Sequence, residues 1–320
     1  MKREKVLLTR AELLLTLIAA STLYAQSLAR PEGIIRVPEA DVSQIVTTAD
    51  GKIYIGKVTE IKSGTVGFEL ASVDRDTTFA LKDIKKIREV PESDIRKGKY
   101  WFPNPNASRI VIAQTGRPVS RGRGSVADFE ILLPLVSYAV TDNITLAGGG
   151  TFINEIGDFS SFAAFYFLPK IGFNIGRRLA LALGGGYIHA LGVEEDFTNV
   201  GFLYGAATLG KPDASLTLGA GYGFSRNRYW VAGEGHRHDV LWPELPGLML
   251  GGEWRLARQF SLVGENYLIH DGQTYIPVLG YGVRMFGERY SADVILYNFL
   301  GYQGLPSIPG IPFIGIVYNF

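Results

Sequence analysis

Ile311-Pro-Phe-Ile-Gly-Ile-Val-Tyr-Asn-Phe320 is the stretch on which the fold turns. Ile314, Ile316, Tyr318 and Phe320 share one face at period two, as in a strand with one apolar side. Working back from it, the chain falls into segments of about ten residues with alternating character, the pattern of membrane-barrel strands. The segments are 107–115, 125–139, 143–153, 162–175, 178–190, 199–210, 214–225, 246–256, 259–269, 275–286, 289–299 and 311–320. The connections between them alternate in length. Thr141-Asp142-Asn143, Gly176-Arg177-Arg178, Lys211-Pro212-Asp213, Ala257-Arg258 and Gly287-Glu288 are short, whereas 116–124, 154–161, 191–198, 226–245, 270–274 and 300–310 are longer. Short turns at one end and longer loops at the other mark a bacterial barrel, with both chain ends of the barrel on the short-turn, periplasmic side. The expected fold is therefore all-β: an antiparallel transmembrane β-barrel of about twelve strands over residues 107–320.

The beginning of the chain fits export. Lys2, Arg3, Lys5 and Arg10 precede an apolar run from Leu13 to Ala20, and Leu23-Tyr24-Ala25 offers a cleavage site before Gln26. Residues 1–25 are read as a signal peptide. An amphipathic helix, with Glu12 inside it, is the other reading. The run is too short to span a bilayer, which takes about 20 apolar residues. In this setting a terminal aromatic after alternate apolar residues looks like the signal read by the outer-membrane assembly machinery, with Tyr318 and Phe320 its expected elements. An ordinary C-terminal strand is the alternative. Outer-membrane lipid and that machinery are the expected partners, and the bacterial outer membrane the expected location. The 32 Lys+Arg nearly cancel the 31 Asp+Glu, so no polyanion is held by bulk charge and no nucleic acid is expected. The absence of cysteine excludes disulfides, thiolate metal sites, a Cys nucleophile and an acylated lipoprotein start.

Residues 33–92 read as a separate β-rich unit. Ser43 to Thr48 leads through Ala49-Asp50-Gly51 into Lys52-Ile-Tyr-Ile-Gly-Lys-Val-Thr-Glu-Ile61, which alternates like a half-buried strand. Thr65 to Leu70, Thr77 to Leu81 and Ile84 to Val90 complete five short strands. The run DGKIYIGKV, TVGFEL and the closing DIKKI resemble Sm/SH3-like modules. That fold carries many roles, and in an exported chain a small interaction module with a periplasmic protein partner, or a spacer, fits better than an RNA-binding one. Residues 93–106 read as a linker, in which Tyr100-Trp101-Phe102 could sit at a membrane interface or pack on a neighbouring domain. Residues 103–150, with Asn104-Pro105-Asn106, Thr115-Gly116-Arg117-Pro118 and Thr141-Asp142-Asn143-Ile144, resemble an uncharacterised family of bacterial outer-membrane β-barrel proteins. The resemblance implies the fold and no particular site.

Strand parity separates lumen from lipid. Glu253 and Arg255 lie opposite Trp254 and Leu256, Glu265 opposite Leu262 and Leu268, and Arg284 opposite Tyr281 and Met285. Asp293 lies opposite Val294 and Leu296, Lys170 opposite Phe167 and Phe173, and Asp128 and Glu130 opposite Phe129 and Ile131. A basic residue facing lipid near the midplane costs about 2–4 kcal/mol. Lys170, Glu253, Arg255, Glu265, Arg284 and Asp293 are therefore expected to project inward as a charge network. It could line a narrow water path, plug the barrel with ion pairs, or simply fill the interior.

Other candidates say less. His236-Arg237-His238-Asp239 offers two imidazoles for a metal but no third ligand, so no metal is expected. Arg117, Arg121 and Arg123 could meet lipid phosphates or solvent. Gly148 to Gly150 and Gly184 to Gly186 lack the helix and the Lys-Ser/Thr of a phosphate loop and suit bends or a narrow lumen. His189 and His270 have no serine-bearing motif beside them, so no enzyme and no cofactor are expected. The expected function is a non-enzymatic envelope anchor or narrow passage with a periplasmic interaction module. A porin-like small-solute diffusion channel and a barrel-rim hydrolase are the alternatives.

Overall fold

A computed structural model describes residues 32–72, 76–153, 162–191, 199–230, 237–270, 275–300 and 310–320, with the side chains of 153, 162, 225–230 and 237–245 left aside. The signal-peptide segment 1–25 lies outside the described residues. The chain divides into two compact units, one reaching Trp101 and the other beginning at Phe102.

The first unit is a five-stranded antiparallel sheet of β1 (Val42–Thr48), β2 (Ile53–Lys62), β3 (Thr65–Leu70), β4 (Asp76–Ala80) and β5 (Ile84–Pro91), in the order β4-β3-β2-β1-β5. A single 3₁₀ turn, Leu81–Asp83, joins β4 to β5. Alternation along β2 and β3 turns Val58, Val66 and Phe68 inward onto Val46, Phe79, Ile84 and Ile87. Gln44 is buried in this core and fully used: its amide donates to the Arg36 carbonyl at 2.9 Å and accepts from Val58 N–H at 2.9 Å. The stretch read as a linker holds a two-stranded ribbon, β6 (Ile95–Arg96) and β7 (Lys99–Tyr100). Arg88 lies over the Tyr100 ring and Arg96 over Trp101, at 4.8 and 4.6 Å. These aromatics pack within their own unit.

The second unit is a closed antiparallel barrel. Its strands are β8 (Gly124–Phe129), β9 (Leu133–Ala139), β10 (Ile144–Ile153), β11 (Phe162–Phe167), β12 (Lys170–Asn174), β13 (Leu179–Leu191), β14 (Asn199–Lys211), β15 (Ala214–Trp230), β16 (Arg237–Ala257), β17 (Phe260–His270), β18 (Tyr275–Phe286), β19 (Tyr290–Phe299) and β20 (Ile311–Asn319). β11 and β12 are two parts of one stave, parted at Leu168-Pro169, where the proline has no N–H for the ladder. Both parts pair with β10 and β13. The staves then number twelve, and β20 closes the ring on β8 with Gly315 opposite Phe129 and Asn319 opposite Ser125.

Two features depart from the sequence reading. Residues 107–115 are not a wall strand; their one bridge joins Arg109 to Gln114 within the segment. The segment read as one strand, 125–139, is instead the hairpin β8–β9. Its turn passes through Glu130 and Ile131, both at left-handed φ (56° and 64°). The strand count is kept because one strand is lost where one is split. The split also ends the parity run at Phe129, which points inward and stacks on Phe313 at 5.9 Å.

The outer surface is that of a membrane barrel. Leu183, Leu203, Leu216, Leu218, Leu250 and Ile316 are exposed at alternate positions, while the residues between them turn inward. Tyr290 and Tyr318 pair at 5.0 Å beside Phe320 at the short-turn end, a place where aromatic residues meet the membrane–water interface.

Candidate functional site

The lumen is occupied by the chain itself. Residues 102–118 run inside the wall, and their polar backbone finds partners there, as buried backbone must. Glu265, fully buried on β17, accepts the N–H groups of Val111, Ile112 and Ala113 on one oxygen at 2.7, 3.2 and 3.1 Å. Its other oxygen accepts the hydroxyls of Tyr267 and Tyr297 at 2.6 and 2.9 Å. Three successive amides cupped around one carboxylate form an anion nest, and here the anion belongs to the wall. This carboxylate makes no ion pair among the described contacts.

The ion pairs gather beside it. Arg284 on β18 donates to Asp293 through Nε and Nη2 at 2.6 and 3.0 Å and to Glu253 through Nη1 at 2.8 Å, and the same Nη2 also reaches the Ile110 carbonyl. Arg109, from the inner segment, donates to Asp293 at 3.1 Å, Ser291 at 3.3 Å and its own Val111 carbonyl at 2.8 Å. Two cations and two anions thus share a buried cluster, one cation supplied by the inner segment. Arg255 lies closer to the short turns, bonded to Asp213 at 2.9 Å and to the Phe102 and Arg258 carbonyls, with its guanidinium over both the Phe102 and Phe286 rings.

On the far wall, Lys170 donates to the Ser108 carbonyl at 2.9 Å and reaches Gln114 Oε1 at 3.5 Å. β12 and β18 stand six staves apart in the ring of twelve, so the segment is gripped from opposite sides. Thr208 accepts the Gly116 N–H at 2.8 Å, and Arg117 is buried with its guanidinium on the Gly210 carbonyl at 2.7 Å. Arg117 is therefore not a headgroup-facing side chain. Two glycines make the fit possible. A Cβ at Gly116 would stand 2.2 Å from the Ala180 carbonyl oxygen, and one at Gly251 would stand 2.6 Å from Ile110 Cδ1.

The six inward-expected charges thus do not form one network. Glu253, Arg284 and Asp293 meet; Arg255 pairs at the short-turn rim; Glu265 and Lys170 hold backbone. Sequence reading missed Arg109, Ser291, Tyr267, Tyr297 and the inner segment as a whole. The cues available were Pro103 and Pro105 just ahead of the supposed strand 107–115 and Arg109 inside it. Elsewhere, His189 meets Asn199 at 2.8 Å and His270 packs on Tyr275. His236 lies outside the described residues and His238 falls where side chains are left aside. Among the described residues no three His, Asp or Glu side chains gather as for a metal.

No protein-family model matches the sequence, and no curated protein matches it. Among solved structures the chain is similar to porins. The KdgM porin in complex with disordered oligogalacturonate shares 9% identity and a TM-score of 0.43, over 62% of this chain and 98% of that one. The NanC porin shares 6% identity and a TM-score of 0.41, over 62% and 97%. Salmonella typhi OmpF in complex with daunomycin shares 9% identity and a TM-score of 0.33, over 87% and 95%. Likeness at this level says nothing of what this chain carries.

Proposed function

We propose that this chain is an outer-membrane barrel held closed at rest by its own residues 102–118, acting as an envelope anchor or narrow passage with a small interaction module on its periplasmic side. The observation that carries the reading is the grip on residues 108–113 from opposite walls, by Lys170 on one side and by Glu265 and Arg284 on the other. Every such bond replaces one that water would make in an open lumen, and a water-filled pore has no use for a desolvated cluster. The short turns at that end support a periplasmic location for the barrel ends, and with them for residues 33–92. For the module, the strand order and the 3₁₀ turn before the last strand support the Sm/SH3-like reading, and a periplasmic protein is its proposed partner. Tyr318 and Phe320 remain the proposed assembly signal.

Planar-bilayer conductance of the purified protein tests the closed reading. Wild type is expected to be silent. Glu265→Ala, which strips three inner amides of their acceptor, is expected to conduct in bursts. Steady conductance in wild type would establish the alternative, a small-solute diffusion channel.

A further inference from the structure

The inner segment does not fill the whole lumen. On the long-loop side of Ile112 to Gln114 lies a cavity of about 380 Å³, within the roughly 300–1,000 Å³ usual for small-molecule sites. Its chemistry is unlike that of the cluster beneath it. Phe202, Tyr204, Met249, Tyr267 and Ile112 line it, and among the described lining residues none is charged. The lumen of a solute channel is polar. This compartment is apolar although it faces the inside of the barrel.

The sequence leaves that space open in a definite way. Inward positions along β15 and β16 that could carry large side chains carry Gly219, Gly221 and Gly247 instead. The first two share the lumen face with Thr217, and Gly247 shares it with Met249 and Glu253. Gly221 is confined by the Leu203 carbonyl oxygen, 3.2 Å from where a Cβ would stand, but Gly219 and Gly247 are not forced by crowding. A Cβ on Gly247 would find nothing nearer than the Leu268 carbonyl oxygen at 3.8 Å, and one on Gly219 would meet the mobile end of Met249 at 3.1 Å. The neighbouring charges are also withdrawn. Glu265 is consumed by three amides and two phenols, and Lys170 is turned to the Ser108 carbonyl. Among the side chains of the described lining residues, the Gln114 amide and the tyrosine hydroxyls alone offer polarity.

From this we infer that the compartment above residues 112–114 is a binding site for an uncharged, largely apolar small molecule with aromatic rings, seated between the glycine wall of β15–β16 and the Phe202, Tyr204 and Tyr267 rings. A charged solute would lose its hydration there and gain no counter-charge. A flat apolar one gains contact with rings and bare backbone. The inference goes beyond the closed-barrel reading, because binding needs no conduction: a conducting wild type would overturn that reading and leave this one standing.

The test is fluorescence titration of the full-length protein in phosphatidylcholine nanodiscs, with empty nanodiscs subtracted. The probes are N-phenyl-1-naphthylamine and its anionic counterpart 8-anilinonaphthalene-1-sulfonate, which share a ring skeleton and differ by a charge. Saturable binding of the uncharged probe at one site per barrel is expected, with the sulfonate at least tenfold weaker. Gly247→Leu should weaken the uncharged probe at least tenfold by filling the cavity, and Gly219→Leu should do the same if the first variant fails to assemble. Leu250→Ala, on the lipid face of β16 and away from the cavity, should change nothing. No saturable binding above empty nanodiscs would overturn the inference. So would equal affinity for the two probes in wild type, or unchanged affinity in assembled Gly247→Leu and Gly219→Leu proteins.

Discussion

The two units solve opposite problems with the same secondary structure. The module turns Val46, Val58, Val66, Phe68 and Ile87 inward and leaves pairs such as Arg36–Glu89 and Lys57–Glu92 at the surface. The barrel turns Leu183, Leu203 and Leu218 outward and buries Arg109, Glu253, Arg284 and Asp293. Alternation at period two is shared; what differs is which face meets which solvent. In the module the apolar face drives folding by leaving water. In the barrel that face meets lipid, so specificity inside must come from hydrogen bonds and ion pairs that lock one arrangement of wall and inner segment.

The largest effects should come from attacking each interior on its own terms. Arg284→Ala leaves Asp293 and Glu253 buried without their shared cation and the Ile110 carbonyl without its donor. Breaking such a buried pair costs about 3–5 kcal/mol. The barrel band on unheated gels should lose its heat resistance while the module's melting is unchanged. Phe68→Ala removes a ring from the module core at a cost of about 3–5 kcal/mol. Circular dichroism should then show the module melting early and the barrel as in wild type. A joint shift of both transitions in either variant would mean that the units do not fold separately.

A sharper contrast holds exposure constant and changes the solvent. Leu183 and Ile53 are 68% and 66% exposed, and in water the two positions would be equivalent. Leu183 lies in the middle of β13, so Leu183→Arg should destabilise the assembled barrel by about 2–4 kcal/mol. Ile53→Arg in the module should fall within about 0.5 kcal/mol of wild type. Chemical denaturation in lipid vesicles reads the first and urea melting the second. Equal effects would remove the membrane from the account of the barrel's outer face.

The barrel was readable because its signals are periodic and local. The last strand, the short turns and the inward parity of Glu253, Glu265, Arg284 and Asp293 each depend on residues a few positions apart. The inner segment was not readable for the same reason. Ile110-Val-Ile-Ala113 has the composition of a strand, and what keeps it out of the wall is the set of bonds it makes with residues about 60 to 180 positions away. The partners of Glu265 are mostly backbone amides, which any residue type supplies, so no pattern of side chains points to them. Three acids balance three bases among the six inward charges read from parity, so nothing in that count called for Arg109. The cavity is likewise a matter of where glycines fall on facing strands, a relation that needs the register of β14 to β17.

The smallest effect compares two turns of one kind. The module's ribbon turns through Lys97-Gly98 and the barrel's first hairpin through Glu130-Ile131, each with both central residues at left-handed φ. That is what a type I′ hairpin turn requires, and glycine supplies it without steric cost. Ile131 does not: its branched Cβ crowds the backbone at φ 64°, a strain of about 1–3 kcal/mol. The side chain recovers little by burial, being 85% exposed. Ile131→Gly should therefore stabilise the barrel by about 1 kcal/mol, after the extra freedom glycine gives the unfolded chain takes back about 0.4–1 kcal/mol. A small rise in the urea midpoint of the reconstituted barrel, with unchanged slope, is the expected result. A loss instead would show that the Ile131 side chain is held by something outside the chain, and lipid at the long-loop rim is the nearest apolar partner on offer.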